Sequence, residues 1–185
     1  MGIYSTAPSR FDKVIYSTKH PGFGKATALA TCPAQSGCCL EPFESVSNVG
    51  CIYANASFLP PKPYATARAM CQSLWPTADL LVPYAFGNLD DYLSARGVVG
   101  PWLGATKNTA TSQWKWVDGS SVSTSSWGSK VLLGLLTSQP DGQGEPIDGY
   151  PTNCGHFLSA VGLLGVQRMG DDACEHLRPA VCQMK

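Results

Sequence analysis

Charge is what this chain has least of. Asp, Glu, Lys and Arg together make up 14% of its 185 residues, where a soluble domain typically carries about 25%. The 13 acidic and 13 basic residues balance to a formal net charge of zero. No basic tract is present, which excludes the electrostatic footprint by which proteins hold nucleic acid. No apolar run is long enough to cross a bilayer, so no transmembrane segment is expected. The opening stretch Gly2-Ile3-Tyr4-Ser5-Thr6-Ala7 is too polar for an export signal, which is expected to lie outside this sequence. Cys-x-x-Cys does not occur, and His20, His156 and His176 are scattered, which argues against zinc. A nucleophile elbow, His-Glu-x-x-His, a phosphate loop and a dinucleotide fingerprint are all missing. The serines between 120 and 129 form a turn-rich stretch with no histidine close in sequence. The chain is therefore not expected to be an enzyme.

Cysteine, by contrast, is plentiful. Eight in one chain is an even number, which implies a disulfide framework and an oxidising, extracellular destination. At 185 residues the chain suits one domain with a real hydrophobic core, so bridges would support the fold rather than substitute for it. Asn55-Ala56-Ser57 is an acceptor pattern for N-glycosylation and fits a secreted glycoprotein.

Residues 1 to about 31 lack sustained periodicity and carry Pro and Gly, as an N-terminal extension would. Cys32, Cys38, Cys39 and Cys51 follow closely. Cys39 and Cys51 are spaced to staple a short hairpin and Cys32 with Cys38 to close a small loop, although spacing alone leaves the connectivity open. Alternation from Cys51 to Phe58 predicts a strand, ended by Pro60, Pro61 and Pro63. Tyr64, Ala67, Met70 and Cys71 recur at helical spacing, and Pro63 suits a first helical turn. A second helix is expected over Asn88–Arg96, with Leu89, Tyr92 and Leu93 inward and Gly97 as its stop. Beyond Gly97, Trp102–Ala105, Trp114–Val117, Phe157–Leu158 and Pro179–Cys182 are short strand-like pieces separated by Gly/Ser turns. Two helices followed by strands make an α+β layout. Trp102, Trp114 and Trp116 are expected in the core, and Gly104 to permit close packing or an unusual dihedral.

Four features in this order, Trp102-Leu103-Gly104-Ala105, Trp114-x-Trp116-x-Asp118-Gly119, Gln139-Pro140-Asp141 and the C-terminal cysteines, resemble the C-type lectin-like domain family. The resemblance runs over residues 39–185, leaving 1–38 as a partly cysteine-rich extension. It implies a C-type lectin-like fold: two helices, small antiparallel sheets and a long ligand-binding loop. It also implies bridges Cys71–Cys182, Cys154–Cys174 and, as in the family's longer members, Cys39–Cys51.

In that family a cis-proline aims the side chains flanking it at one calcium ion, whose coordination is completed by two sugar hydroxyls. The Gln-Pro-Asp order resembles the galactose-preferring branch. Gln139, Asp141 and Asp171 are the implied calcium ligands, with Glu145 and Asp148 as further candidates. Gln139, Asp141 and Asp171 would also contact the sugar. Three departures stand out. Met169-Gly170-Asp171 replaces the family's Trp-Asn-Asp, Thr152-Asn153 stands where an acidic ligand precedes the cysteine, and the tryptophan that stacks on galactose is absent, leaving Tyr150 as its substitute. Outside such a site Glu145, Asp148, Asp171 and Asp172 would be solvated loop carboxylates. The expected function is calcium-dependent recognition of a galactose-type glycan. The alternative is a calcium-independent protein-binding or assembly module, suggested by the apolar insertion Val131–Leu136, as packed loop or as exposed patch. A second apolar run, Val161–Val166, reads as a buried strand or its flank.

Overall fold

The structure, a computed structural model, describes residues 39–132, 135–144, 148–158 and 168–185, with backbone alone for 130–132 and 135–137. Cys32, Cys38, Glu145 and the run Val161–Val166 lie outside the described residues. In chain order the elements are β1 (Glu44–Val46), β2 (Gly50–Tyr53), α1 (Tyr64–Leu74), β3 (Ala78–Leu80), α2 (Gly87–Ser94), β4 (Trp102–Lys107), β5 (Trp114–Trp116), β6 (Ser129–Leu132), β7 (Leu135–Ser138), β8 (Thr152–Phe157), β9 (Met169–Ala173) and β10 (Cys182–Met184). Two helices with small antiparallel sheets make the α+β fold.

Pro63 leads into α1, which buries Tyr64, Ala67 and Cys71 on one face. The helix stops at Leu74 because Trp75 precedes Pro76 and is forced extended. Helix α2 turns Leu89, Tyr92 and Leu93 inward and ends two residues earlier than the sequence suggests. Gly97, at φ 62°, takes the left-handed turn that closes it.

One sheet runs β1-β2-β10-β3, with the C-terminal strand between two N-terminal ones. Cys182 faces Tyr53 on β2 and Leu80 on β3. Its side chain is bonded to Cys71 on α1, across 111 residues of sequence. Closing a loop of that size restricts the unfolded chain by about 4–5 kcal/mol in the chain-entropy picture. Cys39–Cys51 and Cys154–Cys174 are also bonded. The other large sheet runs β5-β4-β8-β9, and β6 with β7 forms a separate hairpin.

Local chemistry cuts back two of the expected strands most plainly. The first ends at Tyr53, because Asn55 starts a turn: its carbonyl accepts the N–H of Phe58 and Leu59. The last begins only at Cys182, because Pro179 has no N–H to give a ladder and Ala180 makes a lone bridge to Trp102. The insertion at Val131–Leu136 is a hairpin, Val131 opposite Leu136 and Leu132 opposite Leu135.

Trp102, Leu103, Phe157, Ile52 and Leu81 are fully buried. Trp116 joins them, and Trp114 is partly buried against the same core. Gly104 is demanded by close approach rather than by a left-handed dihedral. A Cβ there would lie 2.7 Å from Val117 Cγ2 and 2.9 Å from the Leu80 carbonyl oxygen. Its N–H donates to Leu81 O, and its own carbonyl accepts the Val117 N–H. Gly104→Ala is expected to destabilise by about 1–3 kcal/mol through overpacking. A lower urea midpoint at unchanged slope would show it, and an unchanged midpoint would contradict this account.

Candidate ligand-binding site

The second large sheet positions the site. Strand β9 pairs with β8 from Thr152 opposite Ala173 to Phe157 opposite Met169. The Cys154–Cys174 bond ties β8 to the end of β9. Met169 also accepts the Gly128 N–H, and the Gly128 carbonyl accepts the Gln139 N–H at 3.0 Å. The chain before the Gln139-Pro140-Asp141 turn is thereby fastened to β9. The Gln139–Pro140 peptide is cis.

This arrangement brings Gln139, Asp141 and Asp171 together. Asp171 is 2% exposed and lies within β9, not on a solvated loop. The N–H groups of Asp141 and Gly142 donate to its two carboxylate oxygens, each at 2.9 Å. The Thr152 hydroxyl donates to the second oxygen at 2.6 Å. In return the Asp171 N–H donates to Gln139 Oε1 at 3.1 Å. Asp141 Oδ1 accepts the Gln143 N–H at 3.0 Å, closing a short turn.

Gly170 explains the position of Gln139. A Cβ at Gly170 would lie 3.0 Å from Gln139 Oε1, 3.0 Å from Leu158 Cδ2 and 3.1 Å from His156 Nε2. The space that a larger residue would need is already filled, with the Gln139 side chain supplying part of the filling.

Asp172, also taken by sequence alone for a loop carboxylate, is fully buried on β9. Its Oδ1 lies 2.8 Å from His176 Nδ1, and Arg178 Nε donates to its Oδ2. Asp148, on the loop, reaches the other side of the same ring, with Oδ2 2.6 Å from His176 Nε2. His176 therefore spans loop and sheet. Gly144 lies over this pair, where a Cβ would come within 2.8 Å of Asp172 Oδ1 and 3.2 Å of His176 Cε1. Tyr150 packs edge-on against His176 and keeps 56% of its surface in water. His176, Arg178 and Gly144 are the contributors that the sequence reading missed. The signal available was the spacing of Asp172, His176 and Arg178 around Cys174, which brings two side chains to one carboxylate.

The described residues do not fit a calcium ion. Calcium takes six to eight oxygen ligands. Here both Asp171 oxygens and Gln139 Oε1 already accept hydrogen bonds from N–H or O–H groups. Gly170 offers no side-chain oxygen. Among the described residues, Gln139 Nε2 is a buried polar atom beside them with no partner, and it is a donor, which a cation would repel. Among the described residues no three acidic, histidine or cysteine side chains gather as metal ligands.

The Lectin C-type domain profile matches residues 60–184, and the chain belongs to the C-type lectin domain family. Members of that family generally bind carbohydrate or protein. Similar solved structures include the mouse scavenger receptor C-type lectin carbohydrate-recognition domain, at 20% identity and TM-score 0.52, covering 78% of this chain and 94% of that one. The cow carbohydrate-recognition domain of CD23, solved in the presence of a GlcNAc2Man3 oligosaccharide, gives 20% identity and TM-score 0.54 over 80% and 97%. Ovocleidin-17, a major protein of the Gallus gallus eggshell calcified layer, gives 15% identity and TM-score 0.56 over 79% and 98%. A comparison with curated proteins returns no match.

The His176 contacts carry a pH signature. Burial works to lower the pKa of His176, but its hydrogen bonds to Asp148 and Asp172 outweigh that and raise it. The His176 hydrogen bond lowers that of Asp148. The raised histidine contributes stability that is complete below its unfolded value and is lost as pH rises through the folded one. Asp148 contributes stability above its unfolded value, lost as pH falls through its lowered folded one. The histidine's contribution should therefore fade as pH rises past the ordinary histidine value, and His176→Phe should flatten that part of the profile. Thermal unfolding across pH checks it, and identical profiles would contradict it.

Proposed function

We propose that this chain is a secreted glycan-binding module whose long loop, residues 139–150, meets a galactose-type sugar. On this reading residues 39–185 form the lectin domain and 1–38 a partly cysteine-rich N-terminal extension. The observation that carries the reading is the meeting of Gln139 and Asp141 with Asp171 of β9, at the base of a loop whose Tyr150 ring stays more than half exposed. Asp141, part-exposed at the edge of the turn, provides acceptor oxygens for sugar hydroxyls, and the buried Gln139 holds that turn against β9. The Tyr150 ring, held by His176, offers a face for the apolar side of the sugar. The cow CD23 domain was solved in the presence of an oligosaccharide, and the mouse scavenger receptor domain is a carbohydrate-recognition domain; both support a sugar as ligand. The six cysteines paired in three bridges support an extracellular destination. Among the described residues no helix is long and apolar enough to cross a membrane.

Calcium dependence is what the Gln-Pro-Asp motif implies, with Gln139, Asp141, Asp148 and Asp171 as the described candidate ligands. The hydrogen bonds these oxygens already accept favour the other arrangement, in which the sugar is held by direct hydrogen bonds and stacking. A glycan array probed with the full chain, in calcium and again in chelator, tests the proposal. Terminal galactosides should bind. Asp141→Ala should abolish binding, and Tyr150→Ala should weaken it about tenfold, the scale of one aromatic contact. Silence on every glycan in both buffers would overturn the reading.

The hairpin of β6 and β7 favours a second reading, a protein-binding or assembly module. Its strands carry Val131, Leu132, Leu135 and Leu136 in cross-strand pairs. Leu132→Asp with Leu135→Asp should then abolish self-association or partner capture while leaving the unfolding midpoint in place. A collapsed midpoint would make the hairpin part of the core instead.

Asn55 is proposed as the glycosylated residue. It is part-exposed, and its Oδ1 accepts the Ser57 N–H at 3.0 Å in an exposed turn. Chain secreted from eukaryotic cells should lose the mass of one glycan on enzymatic deglycosylation, and Asn55→Gln should lack that mass from the start. An unmodified Asn55 peptide would refute the assignment.

A further inference from the structure

The base of the long loop holds more compensation than a vestigial metal site needs. Each acidic group described there is met by a protein partner. Asp171 is met by two backbone N–H groups and the Thr152 hydroxyl. Asp172 is met by Arg178, His176 and the Ala173 N–H. Asp148 is met by His176 and the Tyr150 N–H. Where the family's motif implies a third and a fourth oxygen donor, Gly170 carries none, and the neutral Gln139 turns its own oxygen to the Asp171 N–H.

We infer that a protein hydrogen-bond clamp centred on Asp171 has taken the place of calcium as the tether of the long loop, so that the loop is ordered, and its ligand bound, without a metal. This deepens the reading of the chain as a long-loop binder and rests on it. The clamp joins three segments. Asp171 sits on β9, Thr152 on β8, and the donors Asp141 and Gly142 on the loop itself. A calcium ion would link the same segments by attracting oxygens. The clamp links them by giving one carboxylate three donors. Both solutions balance the buried negative charge that an unpaired Asp171 would leave in a low-dielectric site. They compete at that residue, because three of the roughly four lone-pair sites of the carboxylate are already taken.

His176 adds a second fastening further along, since Asp148 and Gly144 on the loop both meet it. The loop is thus held at both ends, by Asp171 near residue 141 and by His176 near residue 148.

The test is backbone amide exchange on the full chain, measured in millimolar calcium and in excess chelator. The Asp141 and Gly142 amides should be protected equally in both. The unfolding midpoint should not move, and calorimetry should register no calcium binding. Asp171→Ala should release both amides to exchange like open loop. Should that variant fail to fold, Thr152→Val removes a single donor and should speed both amides about tenfold, on the scale of one hydrogen bond to a charged group. Protection that appears only in calcium, or a midpoint that rises several degrees with it, would overturn the inference. So would unchanged protection in Thr152→Val. A silent glycan array with both amides still protected in chelator would count against the ligand class and leave the clamp standing. Galactoside binding that vanishes in chelator would count against the clamp and leave the ligand class standing.

Discussion

The placement of the last strand between two early ones is the constraint from which the rest follows. β10 can lie between β2 and β3 only if the chain returns after more than a hundred residues, and the Cys71–Cys182 bond fixes that return to α1. Everything between is then a closed excursion whose ends are fastened. The β5-β4-β8-β9 sheet packs its inner side on the same core, through Leu103, Phe157 and Met169. The long loop is an excursion within the excursion. It leaves at Gln139, whose N–H is bonded to Gly128 and through it to Met169, and it returns into β8, which the Cys154–Cys174 bond ties to the end of β9. A loop with its two feet this close needs little further ordering to become a surface.

Much of this was written in the sequence in a form that local physics can read. Helix α1 shows its inward residues at helical spacing, and Pro63 and Pro76 mark its limits. The tryptophans announce the core because nothing else in a chain so poor in charge buries as much area. β9 was not legible. Met169-Gly170-Asp171-Asp172-Ala173 has no strand-like alternation, and two adjacent aspartates look solvated until their partners are known. Those partners, Thr152, His176, Arg178 and two loop N–H groups, come from three separate stretches. No window along the sequence contains them. Gln139, Asp141 and Asp171 could be named together from a family pattern. What each oxygen accepts could not, because that depends on how the loop folds back.

The same distinction separates the class of the protein from its ligand. The fold follows from periodicity, cysteines and packed glycine. Recognition depends on a few side chains at the loop, and one fold carries many such sites. Here the polar groups at the loop base are largely turned inward on one another, while Tyr150 faces outward. On the proposed reading, recognition falls to the rim, where an aromatic ring and the edge of the Asp141 turn meet solvent.

Gly170 has a consequence for redesign. A Cβ at this position would meet Gln139, Leu158 and His156 at once, so an asparagine cannot be set there while the three stay where they are. Moving Gln139 aside breaks its bond to the Asp171 N–H, and that loss comes before any new oxygen is in place. The order of changes therefore matters more than their number: whoever wants a side-chain oxygen at this strand position must first give Gln139 somewhere else to go.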